Sequence, residues 1–185
     1  MNLAIIPARY GSVGIPRKNI IDFCGKPLVQ HTIEAAIESK LIDEVLVTSD
    51  DNDVLEIASS LGIKNICKRP KELASNNTPM FDVVAHALDW FFETNGKTPD
   101  NFMLLQPSSP LRNSTDIDAA VNLFNIEKAV SLISVHKLSE HPYECIKINH
   151  SKWEFLEKPA EKAFRRQDFS QNYFYINGAI YLLKT

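Results

Sequence analysis

The chain has 185 residues, 44% hydrophobic and 23% charged, with a formal net charge of −3 at neutral pH. That length fits a single domain with a sizeable core, and the near-neutral balance excludes a global pull toward nucleic acid or an anionic membrane. Cys24, Cys67 and Cys145 form no C-x-x-C pair, no basic n-region precedes the first apolar run, and no apolar stretch reaches the roughly 20 residues of a membrane helix; a cytoplasmic protein without a disulfide framework or structural zinc is expected.

Leu3 to Ile6 is a short apolar run of the kind that makes a strand buried on both faces. An irregular stretch follows as far as Pro27. It holds Gly11, Gly14 and Gly25, the cations Arg9, Arg17, Lys18 and Lys26, and a single acid, Asp22. Glycine permits close backbone approach and arginine and lysine supply donors for phosphate oxygens, so a strand running into this loop and then a helix describes a polyphosphate cradle. The alternative is a long surface loop with ordinary cationic decoration. Neither G-x-x-x-x-G-K-[ST] nor G-x-G-x-x-G is present, which argues against a P-loop ATPase and a dinucleotide-binding dehydrogenase.

Val29, Ile33, Ala36, Ile37 and Leu41 recur at helical spacing, and Glu44 to Thr48 reads as the second strand. Asp51 or Asn52 is expected to cap a helix to Ser60, with Gly62 beyond its end; a metal or ribose role for Asp50 and Asp51 is the less favoured reading. Ile63 to Lys68 is a third, weaker strand. Thr78 and Pro79 are expected to start a helix through Phe81, Val84, Ala85, Leu88 and Phe92, closed by Gly96. Asn101 to Gln106 is the next strand, followed by the stiff turn Pro107–Arg112, read as a ligand grip or as a rigid turn with a surface arginine. Asn113 and Asp116 cap a helix through Phe124, and Ala129 to Val135 is a further strand. From His136 to Asp168 the alternation breaks into short strands, Tyr143 to Ile148 and Trp153 to Phe155, of the kind that leaves the main sheet.

Three motifs together resemble one family. Ile6-Pro7-Ala8-Arg9 with Gly11-Ser12, Gly14-Ile15-Pro16 and Lys18-Asn19, then Leu105-Gln106-Pro107-Ser108-Ser109-Pro110-Leu111-Arg112, then Asn177-Gly178-Ala179-Ile180-Tyr181, are similar to the signatures of the acylneuraminate cytidylyltransferases and their legionaminate and pseudaminate relatives. The resemblance implies an α/β fold, a Rossmann-like and mostly parallel sheet with helices on both faces. It implies nucleotidyl transfer from CTP to a nonulosonic acid, with Mg²⁺ bridging the CTP phosphates and no metal ligands expected from the protein itself. Lys18 and Arg9 would be catalytic. Ala8, Arg9, Ser12, Lys18, Asn19 and Arg69 would bind CTP. Gln106, Ser108, Arg166, Gln167, Asn177 and Tyr181 would bind the sugar.

A single domain over 1–185 is expected, with 136–168 a dimerisation excursion where Lys137, Glu140 and His141 lie near the start, and with neither nucleic acid nor membrane as partner. Family members often carry Asp at the position of Asn76. They also continue past the position of Thr185 with an Asp-x-Asp that takes part in magnesium binding, so the chain is expected to be C-terminally truncated relative to them. The alternatives carried with this reading are a non-catalytic CTP- or CMP-sugar-binding remnant and a 3-deoxy-manno-octulosonate cytidylyltransferase-like enzyme.

Overall fold

The computed structural model describes residues 1–12, 14–157 and 172–185. They fall into two compact units, one made of Met1–Ile133 with Gly178–Thr185 and the other of Ser134–Asn177. The first holds a sheet whose strands are β1 (Asn2–Pro7), β4 (Glu44–Ser49), β5 (Asn65–Lys68), β6 (Asn101–Leu104), β7 (Ser131–Lys137) and β10 (Phe174–Lys184), the last two continuing into the second unit. The spatial order is β5-β4-β1-β6-β10-β7, with β5, β4, β1 and β6 parallel and β10 antiparallel to β6.

Side-chain alternation along these strands builds both layers of the core. From β1 and the residue after it, Ala4, Ile6 and Ala8 face one cluster while Leu3 and Ile5 face the other. Met103 and Leu105 join the first cluster and Leu104 the second, and Ile180 and Leu182 join the first while Tyr181 packs against the second. The first layer is closed by α1 (Leu28–Glu38), α2 (Asn52–Ser60) and α4 (Ser114–Ile126), through Val29, Ile33, Val54, Ala58, Ile117 and Phe124. The second is closed by α3 (Met80–Asn95) through Val84, Ala87 and Phe91. Strands buried on both faces read as continuous apolar runs, as Leu3 to Ile6 does.

The helix ends follow from local chemistry. Asp51 accepts from the Asp53 amide at 3.1 Å, and Asn113 and Asp116 form a reciprocal capping box on α4. Gly96 ends α3 in the left-handed conformation at φ 63°. Thr78 departs from the expected cap: Pro79 occupies that position, and the Thr78 hydroxyl instead pairs with Ser75 Oγ at 2.8 Å in the preceding turn. The stretch before Pro27 is more ordered than its sequence suggests. It contains a 3₁₀ turn, Lys18–Ile20, and a two-residue ladder between β2 (Asp22–Phe23) and β3 (Lys26–Pro27), where Cys24 and Gly25 both take positive φ, 54° and 84°.

The second unit contains a 3₁₀ turn, Pro142–Glu144, and the antiparallel pair β8 (Ile146–Asn149) and β9 (Lys152–Phe155). The expected strand from Tyr143 thus begins later, because Pro142 opens a turn in which the Tyr143 amide donates to His141 Nδ1. The register pairs Ile146 with Phe155 and Ile148 with Trp153, which puts four large apolar side chains on one face of the hairpin. All four are exposed within this structure. The His141 ring lies 4.5 Å from Tyr143 and 4.9 Å from Tyr173 between centroids. No described helix is long and apolar enough to cross a membrane.

Candidate active site

The chain runs from β1 outward to β4 and β5, then returns to place β6 on the other side of β1. At such a reversal the loops leaving the carboxyl ends of the two neighbouring strands diverge and open a crevice. A cavity of about 140 Å³ lies there, lined by Pro7 at the end of β1, Arg9, Gly11, Ser12, Lys18 and Asn19 from the loop that follows, Arg69 after β5, Met80 at the start of α3, and Gln106, Pro107 and Ser108 after β6. Seven residues assigned from the sequence, Arg9, Ser12, Lys18, Asn19, Arg69, Gln106 and Ser108, are therefore brought to one cavity by three segments distant in the chain.

The cavity is held open by hydrogen bonds behind its walls. Asn19 is buried and donates from Nδ2 to the Arg9 carbonyl at 2.9 Å, which closes the loop on itself. Ala8 is fully buried and does not line the cavity; its amide donates to the Thr48 carbonyl and its carbonyl accepts from Ser49 Oγ at 2.5 Å. Its contribution is to fix the first residue of the loop against β4. Asp50 Oδ1 accepts from the Tyr10 amide at 2.9 Å. Arg9 Nη1 donates to Asn76 Oδ1 at 2.6 Å, outside the cavity lining.

The electrostatics are one-sided. Three cations, Arg9, Lys18 and Arg69, line the cavity, and none of the described lining residues carries a carboxylate. Among the described residues, the ion pairs formed by lysine and arginine belong to Arg17, Lys26 and Lys147 and not to these three. Arg69 is buried, donating from Nη2 to the Thr48 carbonyl at 2.8 Å, and burial lowers its pKa despite the opposing pull of Asp50. The adjacent Cys67 thiol is pushed up by burial. Unneutralised guanidinium and ammonium groups beside backbone glycine make an anion site. A metal is another matter: among the described residues no group of three or more His, Cys, Asp or Glu side chains is placed to hold one. The donor set here does not fit a cation held by protein groups alone.

The remaining sequence assignments lie elsewhere. Tyr181 pairs with Leu104 in the sheet and packs against the Leu3, Ile5 and Phe91 layer, and it does not line the cavity. Asn177 belongs to the second unit, where its Oδ1 accepts from Ser134 Oγ at 2.6 Å. Arg166 and Gln167 lie outside the described residues.

Arg112 departs from both sequence readings: it is neither at the surface nor in the cavity lining. It is buried, with Nη1 donating to the carbonyls of Ala179 at 2.6 Å and Gln106 at 3.4 Å, and Nη2 to Thr32 Oγ1 at 2.9 Å. Asp118 is also structural, accepting from Ser39 Oγ at 2.6 Å and the Lys40 amide at 3.0 Å. Sequence reasoning passed over Met80 and Arg17. Met80 had a legible signal in its place directly after Thr78-Pro79, whereas Arg17 was counted only as part of a cationic run.

The comparisons with known proteins bear on this arrangement. The sequence model of a family described as cytidylyltransferase matches residues 3–175. An N-acylneuraminate cytidylyltransferase of Streptococcus agalactiae is 34% identical over 182 residues, covering 97% of this chain and 42% of that protein. The chain thus spans about two fifths of the length of that relative. A pseudaminic acid cytidylyltransferase of Campylobacter jejuni is 32% identical over 180 residues, covering 97% of this chain and 77% of that protein. A solved CMP:2-keto-3-deoxy-manno-octonic acid synthetase complexed with CTP superposes with a TM-score of 0.71 at 23% identity, over 99% of this chain and 73% of that one, which bears on the fold. With a family match across nearly the whole chain and a relative matched over most of its own length, the chain belongs to the cytidylyltransferase family.

Proposed function

We propose that the chain activates a nonulosonic acid by transfer of CMP from CTP, with release of pyrophosphate. The observation that carries this reading is the convergence of Arg9, Lys18 and Arg69, unpaired with any described carboxylate, on a crevice at the point where strand order reverses. A triphosphate supplies the complementary charge, and relatives named for N-acylneuraminate and pseudaminic acid supply the acceptor class.

The anomeric hydroxyl oxygen attacks the α-phosphorus in line, the bond from that phosphorus to the β-phosphate oxygen breaks, and pyrophosphate leaves with the electron pair while the hydroxyl proton passes to solvent. Such a reaction asks the protein mainly for positioning and for neutralisation of developing charge. Arg9 and Ser12 hold the triphosphate, and Lys18 stabilises charge on the phosphoryl group in transfer. Asn19 and Arg69 place the nucleoside, and Ala8 keeps the start of the loop fixed. Gln106 and Ser108 orient the sugar from the end of β6, with Arg166, Gln167, Asn177 and Tyr181 proposed for the same substrate. Mg²⁺ is proposed as a cofactor that would come with the nucleotide and would offset the negative charge of its phosphates.

The proposal extends to a homodimer formed through residues 136–168 and to a cytoplasmic site of action. The exposed hairpin face of Ile146, Ile148, Trp153 and Phe155 supports the first, because an apolar patch of this kind is commonly an interface. Pyrophosphate release from CTP and Mg²⁺ tests the activity with a panel of sialic, legionaminic and pseudaminic acids and 3-deoxy-manno-octulosonate. Release with a nonulosonic acid supports the reading and names the substrate. Release with the octulosonate alone, or with none of the four, refutes it.

A further inference from the structure

Of the four cations between β1 and α1, Arg9 and Lys18 line the cavity and Lys26 pairs with Glu34. Arg17 does not line the cavity. Its Nη2 instead reaches Asp51 at 3.2 Å and Asp53 at 2.5 Å, and its guanidinium carbon lies 5.0 Å from the centroid of the Tyr10 ring. Asp51 is buried and is the residue that caps α2, so the anchor for Arg17 is itself fixed by a helix terminus. Arg17 also sits in the left-handed region at φ 51°, a conformation disfavoured for a side chain of this size. A residue held there requires a contact that outweighs the strain, and the double ion pair is that contact.

The consequence falls on the next residue. Lys18 begins the 3₁₀ turn whose Ile20 amide donates to the Arg17 carbonyl at 3.1 Å, and Asn19 turns back to the Arg9 carbonyl. Meanwhile Asp50 pins the other limb of the loop through the Tyr10 amide. Three acids at the junction of β4 and α2 therefore staple both limbs from outside, while Arg9 and Lys18 remain on the inside. We propose that Arg17 is a positioning residue: its clamp on Asp51 and Asp53 fixes the backbone from which Lys18 reaches the phosphates, so that the ammonium is placed before nucleotide arrives. This rests on the nucleotidyl-transfer reading above for what Lys18 does, but not for how it is held.

Two measurements test it, and they fail separately. The first needs no ligand. Amide hydrogen exchange over residues 9–21 is expected to speed up in Arg17→Ala and in Asp53→Asn, with exchange in β1, β4 and β6 unchanged. Unchanged loop exchange in Arg17→Ala overturns the clamp, whatever the fate of the proposed activity. The second is a double-mutant cycle on CTP-dependent turnover with Arg17→Ala, Lys18→Ala and the pair. Loss of positioning by about an ångström costs on the order of a hundredfold, so Arg17→Ala is expected to lower kcat by roughly ten- to a hundredfold while leaving KM for CTP changed less. It is expected to have almost no further effect once Lys18 is gone. Arg17→Lys, which keeps the charge but not the fork, recovers part of the loss. Additive effects in the cycle overturn the positioning role. Faster loop exchange in Arg17→Ala, alongside a wild-type protein that turns over no nucleotide, upholds the clamp and refutes the function.

Discussion

Arg112 and Ala179 are 67 positions apart in sequence and joined by a hydrogen bond of 2.6 Å from the guanidinium to the carbonyl. The bond ties the turn after β6 to β10, and so connects two motifs that look independent in the sequence. Burial lowers the pKa of this arginine to about 10, which leaves it charged at neutral pH with backbone carbonyls and the Thr32 hydroxyl in place of an acid. Its Nε is buried without a hydrogen-bond partner, an indication that the site is shaped for the two terminal nitrogens.

Arg112→Met keeps the length of the side chain and removes the fork, leaving the carbonyls of Ala179 and Gln106 without that donor. Hydrogen bonds to a charged group are worth about 1.5–3 kcal/mol, so a loss on that order in urea-unfolding stability is expected. Arg112→Lys restores one donor and recovers part of it. A variant as stable as wild type contradicts the role given to the guanidinium.

Arg112 also illustrates where sequence reasoning stops. Periodicity located the helices and the central strands within a few residues, because each face of a buried strand must find its own apolar layer and Leu3 to Ile6 states this directly. The cavity was legible too, since Arg9, Lys18 and Gln106 sit in motifs placed at strand ends. What a guanidinium touches was not. Arg17, Arg69 and Arg112 carry the same side chain, yet one clamps two acids, one lines the cavity and one bridges strands, and only the tertiary arrangement separates them.

Lys18→Ala is expected to reduce kcat by a hundredfold or more, on the order of the loss when one donor to a developing oxyanion is removed, while CTP affinity falls far less. Steady-state kinetics set beside a CTP titration decide this. Equal losses in the two would assign Lys18 to ground-state binding.

Asn76 accepts from Arg9 at 2.6 Å, and being neutral it leaves the arginine's charge available to an anion. Asn76→Asp places a carboxylate on that guanidinium. Exposed ion pairs are worth up to about 1 kcal/mol, so CTP affinity is expected to weaken by up to about fivefold, with a flatter dependence on salt because one cation is already neutralised. Asn76→Ala serves as the comparison and should bind CTP as wild type does. Tighter binding by the aspartate variant would contradict the charge argument.

Asp118 offers a prediction whose sign can be worked through. Burial works to raise its pKa, but the hydrogen bonds from Ser39 and from the amides of Lys40 and Leu41 outweigh it and hold the carboxylate below its ordinary value of 3.8. A group whose pKa is depressed by folding adds stability that is fully present above the unfolded value and disappears as pH falls through the folded one. Asp118→Asn keeps one acceptor and removes the charge, so it should be less stable than wild type at neutral pH by a margin that stays constant down to about pH 5. Below the ordinary carboxylate value the margin should narrow, because the wild-type side chain becomes protonated as well. Urea unfolding of both proteins between pH 3 and 7 measures it. A margin that stays level across the whole range would mean that Asp118 acts through its shape and neutral hydrogen bonds alone, with its charge contributing nothing to the junction of α1 and α4.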